Sequence, residues 1–151
     1  MTGYFENNRI YIELSVYGVV KTLAKKIKLH VDTGFDGHIT LPFNEAIPLG
    51  LVLKGTQSYT LADGGNATNL VCWGNIEVDG KEYFVPIDVT NSGSPLLGQG
   101  FLKQAGLVMK ADYSSDTVTY TIPKKKIVPP QKSDASSKSS EASPDASSAK
   151  K

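Results

Sequence analysis

The sequence predicts an all-β fold, a small closed barrel or sandwich with one short helix near its C-terminal end. Segments in which apolar and polar residues alternate recur along the chain, which is the pattern of half-buried strands. Turn sequences separate these segments at intervals of about 8–12 residues, a spacing typical of small sandwiches and barrels. The clear helix candidate is residues 99–105, which Gly106 ends.

Each predicted element has its own local signal. In the first strand, alternate apolar residues from Ile10 to Val16 fall on one face. Asp79-Gly80 is a strong two-residue hairpin signal between two later strands. A short helical turn is predicted at residues 44–46, halted by Pro48. The predicted strands are residues 9–17, 26–31, 70–78, 83–89, 108–112 and 117–122.

The length of 151 residues fits one domain, and a change in composition near the C-terminal end indicates a separate tail. Pro129-Pro130 marks the boundary, so the domain is predicted over residues 1–128 and the tail over residues 129–151. From residue 132 onward the chain has eight Ser, four Ala and no aromatic or β-branched residue. Such a segment buries too little apolar surface to offset the entropy of ordering, which predicts a disordered Ser/Ala/Lys-rich tail.

Charge and cysteine content restrict the possible partners and the compartment. The net charge of +1 gives no indication of nucleic acid or of an anionic membrane surface. No apolar run approaches the roughly 18 residues of a membrane span, and the start lacks the pattern of a secretion signal. Cys72 is the only cysteine, so an intrachain disulfide is impossible. We therefore expect a reducing, cytoplasmic setting without nucleic-acid or membrane partners.

The most informative motif is Asp32-Thr33-Gly34, at the end of an apolar run. Alone, this triplet is typical of an ordinary turn, because Asp caps local N–H groups and Gly accepts positive φ. A second motif, Leu96-Leu97-Gly98, follows after about sixty residues and leads into the predicted helix. Together, over roughly residues 9–122, the two motifs resemble the retroviral-type (retropepsin-like) aspartic proteases, including their cellular bacterial and archaeal relatives.

The resemblance implies a single-lobe subunit, since the chain has one D-T-G and no internal repeat. Asp32 would be the catalytic carboxylate, and its partner would be Asp32 of a second subunit, the two sharing one proton. The Thr33 hydroxyl would bond across the dyad to the partner's loop. Gly34 would let the backbone approach the dyad and the substrate.

Two residues depart from the viral pattern. Phe35 stands where the viral enzymes have a small residue, so the pocket wall or its packing is expected to differ. Gln99 stands where they commonly have Arg. That Arg pairs with an acid at the position of Asp36, and Gln99 cannot form such a charged bidentate pair. We therefore expect a weaker dimer contact at this corner.

Residues 59–66 are the predicted flap, a hairpin that closes over the substrate in the resembled family. Its tip, Ala62, Asp63, Gly64 and Gly65, is predicted to contact substrate, together with Phe35 and Asp36. An ordinary exposed hairpin is the alternative.

Metal and cysteine chemistry are not favoured by the sequence. His30 and His38 flank Asp32 and Asp36, but nothing else supplies ligands at a recognised zinc spacing, so neither a metal nor a cofactor is predicted. Cys72 and the adjacent Trp73 are interpreted as core residues, because no motif places a base beside the thiol.

Three functions remain open at this level. The first is a homodimeric aspartic endopeptidase that acts on peptides or proteins. The second is a catalytically weak or inactive peptide-binding module on the same fold, and the third is a structural β-domain with a coincidental turn. The intact Asp32-Thr33-Gly34 triplet favours the first.

Overall fold

The computed structural model describes residues 1–60 and 64–123. The predicted tail, residues 129–151, lies outside the described residues, as do Ala62 and Asp63. The strands are β1 (Thr2–Glu6), β2 (Arg9–Tyr17), β3 (Lys25–Asp32), β4 (Ile39–Pro42), β5 (Val52–Thr60), β6 (Asn66–Val78), β7 (Lys81–Thr90), β8 (Leu96–Gly98), β9 (Val108–Asp112) and β10 (Thr117–Thr121). The helices are α1 (Phe43–Ala46) and α2 (Gln99–Ala105), with 3₁₀ turns at Lys21–Leu23 and Ile47–Leu49.

Six of these strands close into a barrel, which confirms the predicted all-β fold. The hydrogen-bonded order runs β6-β7-β4-β8-β3-β2, and the ring closes because β2 also pairs with β6. At the closing contact Val16 lies opposite Ile76. β5 lies outside the ring on β6, and β1, β10 and β9 extend from β2. Each of the six strands therefore has a hydrogen-bonded neighbour on both sides over part of its length.

The barrel interior is the hydrophobic core. The predicted inward faces of β2 and β3 are buried, with Leu14 and Leu29 almost fully removed from solvent. α2 covers the core with Phe101, whose ring meets the ring of Tyr83 edge to face at 5.7 Å. Burial of each such side chain contributes about 1.5–3 kcal/mol, so the alternating pattern that predicted the strands also supplies the stability of the barrel.

The strand β1 was not predicted. Its residues do not alternate clearly, and it forms because both of its neighbours pair with it, β2 on one side and β10 on the other. The turn into β2 is made by Asn7 and Asn8, which have φ values of 50° and 60°. Asn tolerates this left-handed region better than most residues, so the Asn-Asn pair was the available sequence signal.

Two smaller expectations need correction. The short helix at residues 44–46 is confirmed as α1, but Pro48 does not end the helical segment. It lies at the start of the following 3₁₀ turn, where its missing N–H costs no hydrogen bond. Cys72 is buried as expected, whereas Trp73 is only half-buried and stacks on Phe84 outside the core at 4.9 Å between ring centroids.

Within the described parts of the chain, no helix is long and apolar enough to cross a membrane.

Candidate active site

Three strands bring the two sequence motifs together. β3 ends at Asp32 and pairs in parallel with β8, so that Asp32 lies opposite Gly98. β4 pairs with the other side of β8, in the antiparallel direction. Residues 33–38, here called the Asp32 loop, therefore connect two strands that are separated by β8. Motifs about sixty residues apart in the chain thus become neighbours through one parallel register.

The carboxylate of Asp32 is oriented by its own loop. The Gly34 N–H donates a hydrogen bond to Asp32 Oδ1 at 2.8 Å, and the Phe35 N–H donates to the Asp32 carbonyl at 3.2 Å. Asp32 is half-buried, while Thr33 and Gly34 are exposed. The turn that the sequence allowed for this triplet is therefore present, and it presents an oriented carboxylate at the molecular surface.

The start of α2 is capped by carbonyls of the Asp32 loop. The Gly98 N–H donates to the His38 carbonyl at 2.9 Å, the Gln99 N–H to the Phe35 carbonyl at 2.8 Å, and the Gly100 N–H to the Gly37 carbonyl at 2.9 Å. No side chain caps this helix. Because the first N–H groups of a helix have no partner within it, the loop supplies what a capping side chain would otherwise supply.

This contact requires glycine at the last position of the second motif, Gly98, and at Gly100 in the first turn of α2. A Cβ atom on Gly98 would lie 2.3 Å from the Gly37 carbonyl oxygen and 2.6 Å from Phe35 Cδ1. A Cβ atom on Gly100 would lie 2.8 Å from the carbonyl oxygens of Asp36 and Gly37. Phe35, the departure from the viral pattern, thus packs its ring against β8, and it also lines the neighbouring cleft.

Gln99, the other departure, bonds to the Asp32 loop. Its Nε2 donates a hydrogen bond to the Thr33 carbonyl. A neutral amide at the start of α2 therefore bonds to the candidate catalytic triplet within one chain. The predicted consequence for a dimer contact with Asp36 stays a prediction.

A cleft of about 480 Å³ opens beside the Asp32 loop. One wall is residues 34–38, which include the predicted substrate-binding residues Phe35 and Asp36. The rest is formed by Lys54, Gln57, Val71, Pro86 and Asp88. The volume lies within the range of small-ligand pockets, so the cleft can hold a side chain of an extended peptide.

A hairpin extends beyond the barrel at the predicted flap. β5 and β6 pair as far as Thr60 opposite Asn66, but β6 pairs with β7 only from Leu70 onward. The outer part is therefore a two-stranded ribbon. Gly64, close to the end of this ribbon, has a φ of 83°, which glycine adopts without strain. Gly64 and Gly65 do not line the cleft, whereas Gln57 in the outer part of β5 and Lys54 at its base do.

Other chemistries find no support among the described residues. In residues 1–60 and 64–123, no group of three or more His, Cys, Asp or Glu side chains could hold a metal ion. Burial raises the pKa of the Cys72 thiol, which disfavours the nucleophilic thiolate.

Comparison with solved structures identifies the fold. The chain superposes on the protease of EIAV, solved with the inhibitor HBY-793, with a TM-score of 0.55 over 68% of this chain and 93% of the protease. The chain has a single-lobe retropepsin-like fold. The identity to that protease is only 17%, so this likeness concerns the fold alone.

The simian foamy virus (mac) protease also matches, with a TM-score of 0.41, 17% identity, and 61% and 92% of the two chains covered. This second likeness is too low to bear on the assignment. No protein-family model matches the chain, and no curated protein is found similar to it.

The sequence did not predict the wall of this cleft that lies opposite the Asp32 loop. On β7, the half-buried Pro86 and Asp88 alternate with buried Val85, Ile87 and Val89, so the pattern marked them as facing away from the core. The alternating pattern does not predict which elements lie over this outer face of β7. The face becomes one wall of a cleft because the Asp32 loop and β5 lie beside it.

We predict that Gly98→Ala lowers the free energy of unfolding by about 1–3 kcal/mol, because the added methyl group meets backbone that cannot move without breaking the cap of α2. Urea denaturation measures the change. Lys103→Ala, at an exposed position of the same helix, is the control and should change stability by less than about 0.5 kcal/mol. Equal effects of the two substitutions would contradict the importance of this contact.

Proposed function

We propose that the protein is an aspartic endopeptidase that hydrolyses peptide bonds in peptides or proteins. The observation that carries the proposal is the Asp32 carboxylate, which the Gly34 N–H orients at 2.8 Å. It lies at the start of the loop whose residues 34–38 line the cleft. The retropepsin-like fold supports the assignment, because it is the fold expected from the two motifs, the first of which contains this carboxylate.

One carboxylate cannot perform both proton transfers of such a reaction. We propose that Asp32 of a second copy of the chain supplies the other, so that the active site forms in a homodimer. Thr33 and Gly34 are exposed, which leaves this part of the loop accessible to a second copy. Two carboxylates that lie close together share one proton, and their titration belongs to the pair.

The proposed reaction needs only these two groups and a water molecule. The ionised carboxylate takes a proton from water, whose oxygen attacks the carbonyl carbon of the peptide bond. The protonated carboxylic acid donates its proton to the carbonyl oxygen, which gives a neutral tetrahedral diol. A carboxylate then removes a hydroxyl proton as the C–N bond breaks, and the amine nitrogen takes a proton from the other carboxyl group.

The β5–β6 hairpin is the proposed flap. Among the described residues, no third strand pairs with its outer part. Isolated two-stranded hairpins are only marginally stable in water, which suits an element that must open to admit a peptide. Gln57 connects this hairpin to the cleft. Closure over a peptide would hold its backbone against the Asp32 loop and exclude bulk water.

Asp32→Asn should abolish cleavage of a denatured protein substrate, with a loss of at least about 10²-fold in kcat/KM, because an amide can neither share the proton nor act as the base. Cleavage products are followed by mass spectrometry. The control is Asp79→Asn in the β6–β7 turn, where Asn tolerates the observed φ of 49°. Peptide binding that persists in wild-type protein without any cleavage would favour the peptide-binding module.

Activity should depend on the concentration of the protein, because each proposed active site needs two chains. Below the dissociation constant of the dimer, the initial rate should rise with the square of the protein concentration. Sedimentation velocity over the same range reports the oligomeric state. A fully active monomer would refute the shared site.

Gly64→Val should reduce kcat/KM by at least about tenfold and have a smaller effect on the fold. Val is strained at the φ of 83° that the tip adopts, and its side chain obstructs backbone contact with a substrate. The matched control is Gly80→Val, at a φ of 76° in the β6–β7 turn. Both glycines have open space around them, so similar strain is expected. Equal losses of activity would show that the β5–β6 hairpin is an ordinary surface hairpin.

A further inference from the structure

Three aromatic rings lie side by side on the outer face of the barrel, close to Asp32. They belong to Tyr4, Tyr11 and His30, which are half-buried and occupy neighbouring strands in one register row. The Tyr4 and Tyr11 rings stack with 6.0 Å between their centroids. The Tyr11 and His30 rings lie 5.5 Å apart with a tilt of 45°. The proposed hydrolysis assigns no role to this group, here called the aromatic strip.

His30 is the member of the aromatic strip that is nearest in the chain to the candidate catalytic carboxylate. It precedes Asp32 by two residues on β3, and the flanking Leu29 and Val31 are buried. Because alternate residues of a strand face the same side of a sheet, His30 and Asp32 share the outer face, about 7 Å apart along the strand. A substrate side chain beside a peptide bond at Asp32 is therefore within reach of the imidazole.

The neighbouring strands fix the position of His30 from both sides. Its N–H donates a hydrogen bond to the Pro95 carbonyl at 2.9 Å, and it lies opposite the half-buried Leu96 on β8. On β2, the Tyr11 ring that it contacts is itself in contact with Lys28, whose Nζ lies 4.5 Å from the ring centroid. A surface that is ordered before binding loses little entropy when a ligand ring stacks on it.

The register connects the aromatic strip with the cleft. Leu96 lies opposite Thr40 on β4, and Thr40 lies opposite Asp88, a residue of β7 that lines the cleft. His30 and Asp88 are therefore three strand spacings apart, about 14 Å. An extended peptide covers this distance with about four residues. One peptide can thus place one side chain in the cleft and another over His30.

We infer that His30 and Leu96, supported by Tyr11, form a second subsite that binds an aromatic side chain of the peptide substrate by ring stacking. The inference rests on the proposed function. Paired aromatic rings attract each other by more than the apolar area that they bury, through offset or edge-to-face contacts. The subsite should therefore distinguish an aromatic ring from an aliphatic ring of the same size. His30 is a specificity-determining residue, and Tyr11 is a positioning residue that acts through it.

The test measures binding separately from cleavage. Full-length Asp32→Asn protein is titrated with fluorescein-labelled peptides in which one position, walked along an alanine and serine sequence, holds phenylalanine, cyclohexylalanine or alanine. Cyclohexylalanine matches phenylalanine in size but has no π system. At one position, phenylalanine should bind at least about threefold more tightly than cyclohexylalanine, the effect of one stacked ring pair. Alanine should bind most weakly.

A second substitution in the same protein locates the preference. His30→Leu should remove it, whereas His30→Phe, which keeps an aromatic ring, should retain it. Tyr11→Leu should reduce it, and Tyr11→Phe should not. The control is Lys26→Leu, on the same face of β3 and four residues from His30, which should leave the preference unchanged.

The outcomes separate the two proposals. Equal or tighter binding of the cyclohexylalanine peptide at every position, a preference that survives His30→Leu, or no binding by any peptide would overturn the subsite. Loss of all peptide binding in the His30→Leu protein, together with weaker self-association in sedimentation velocity, would instead assign this face to the contact with a second copy. Cleavage of the same peptides by wild-type protein would still support the peptidase. An aromatic preference without cleavage would support the subsite and count against the peptidase alone.

If His30→Leu does not fold, NMR of the Asp32→Asn protein decides. The chain has two histidines, so the imidazole protons of His30 can be assigned with the help of one His38 variant. The bound phenylalanine peptide should shift these protons through its ring current, and the cyclohexylalanine peptide should shift them less. Equal shifts with both peptides would overturn the subsite.

Discussion

The structure around the candidate site depends on one backbone contact, between the carbonyls of the Asp32 loop and the first N–H groups of α2. Three hydrogen bonds of 2.8–2.9 Å make this contact, and they satisfy donors that a helix cannot satisfy by itself. They require Gly98 and Gly100, since a Cβ atom at either position would meet loop backbone at 2.8 Å or less. The start of α2 therefore holds the Asp32 loop in place, and within that segment the Gly34 N–H orients the Asp32 carboxylate.

The closed barrel and the β5–β6 hairpin differ in how they are supported. β3, the strand that ends at Asp32, belongs to a ring in which every strand has two hydrogen-bonded neighbours. Within residues 1–60 and 64–123, residues 66–69 of β6 pair with β5 and with no other strand, so no third strand stabilises this end of the hairpin there. Under the proposed function, the closed barrel would keep the Asp32 loop in place, while the weakly supported end of the β5–β6 hairpin could open and close over a peptide.

The sequence predicted local features well and non-local ones poorly. β2, β3, β6, β7, β9, β10 and α2 were predicted from alternation and turn residues, which are local signals. β4 was missed because it forms through pairing with strands distant in the chain. β1 was missed although the Asn7-Asn8 turn gave a local signal, and β5 was predicted only at its end, as a flank of the flap. The same distinction applies at the site. Asp32, Thr33 and Gly34 stood out as a motif, whereas Lys54 and Asp88 became part of the cleft only through the register of the barrel.

The loop contacts also bear on how a dimer would assemble under the proposed mechanism. Gln99 bonds to the Thr33 carbonyl, and the cap of α2 lies within one chain, so a single copy already holds its loop in place. A segment that is ordered before binding loses less entropy on association than one that must fold on its partner. The remaining cost is the entropy lost when two chains associate. The exposed Thr33 and Gly34 must offset it through their contacts, without the charged pair that an arginine at position 99 would provide. The preformed loop and the missing charge therefore act in opposite directions on the dissociation constant. The first favours assembly by reducing its entropic cost, and the second leaves the contact dependent on neutral hydrogen bonds and shape.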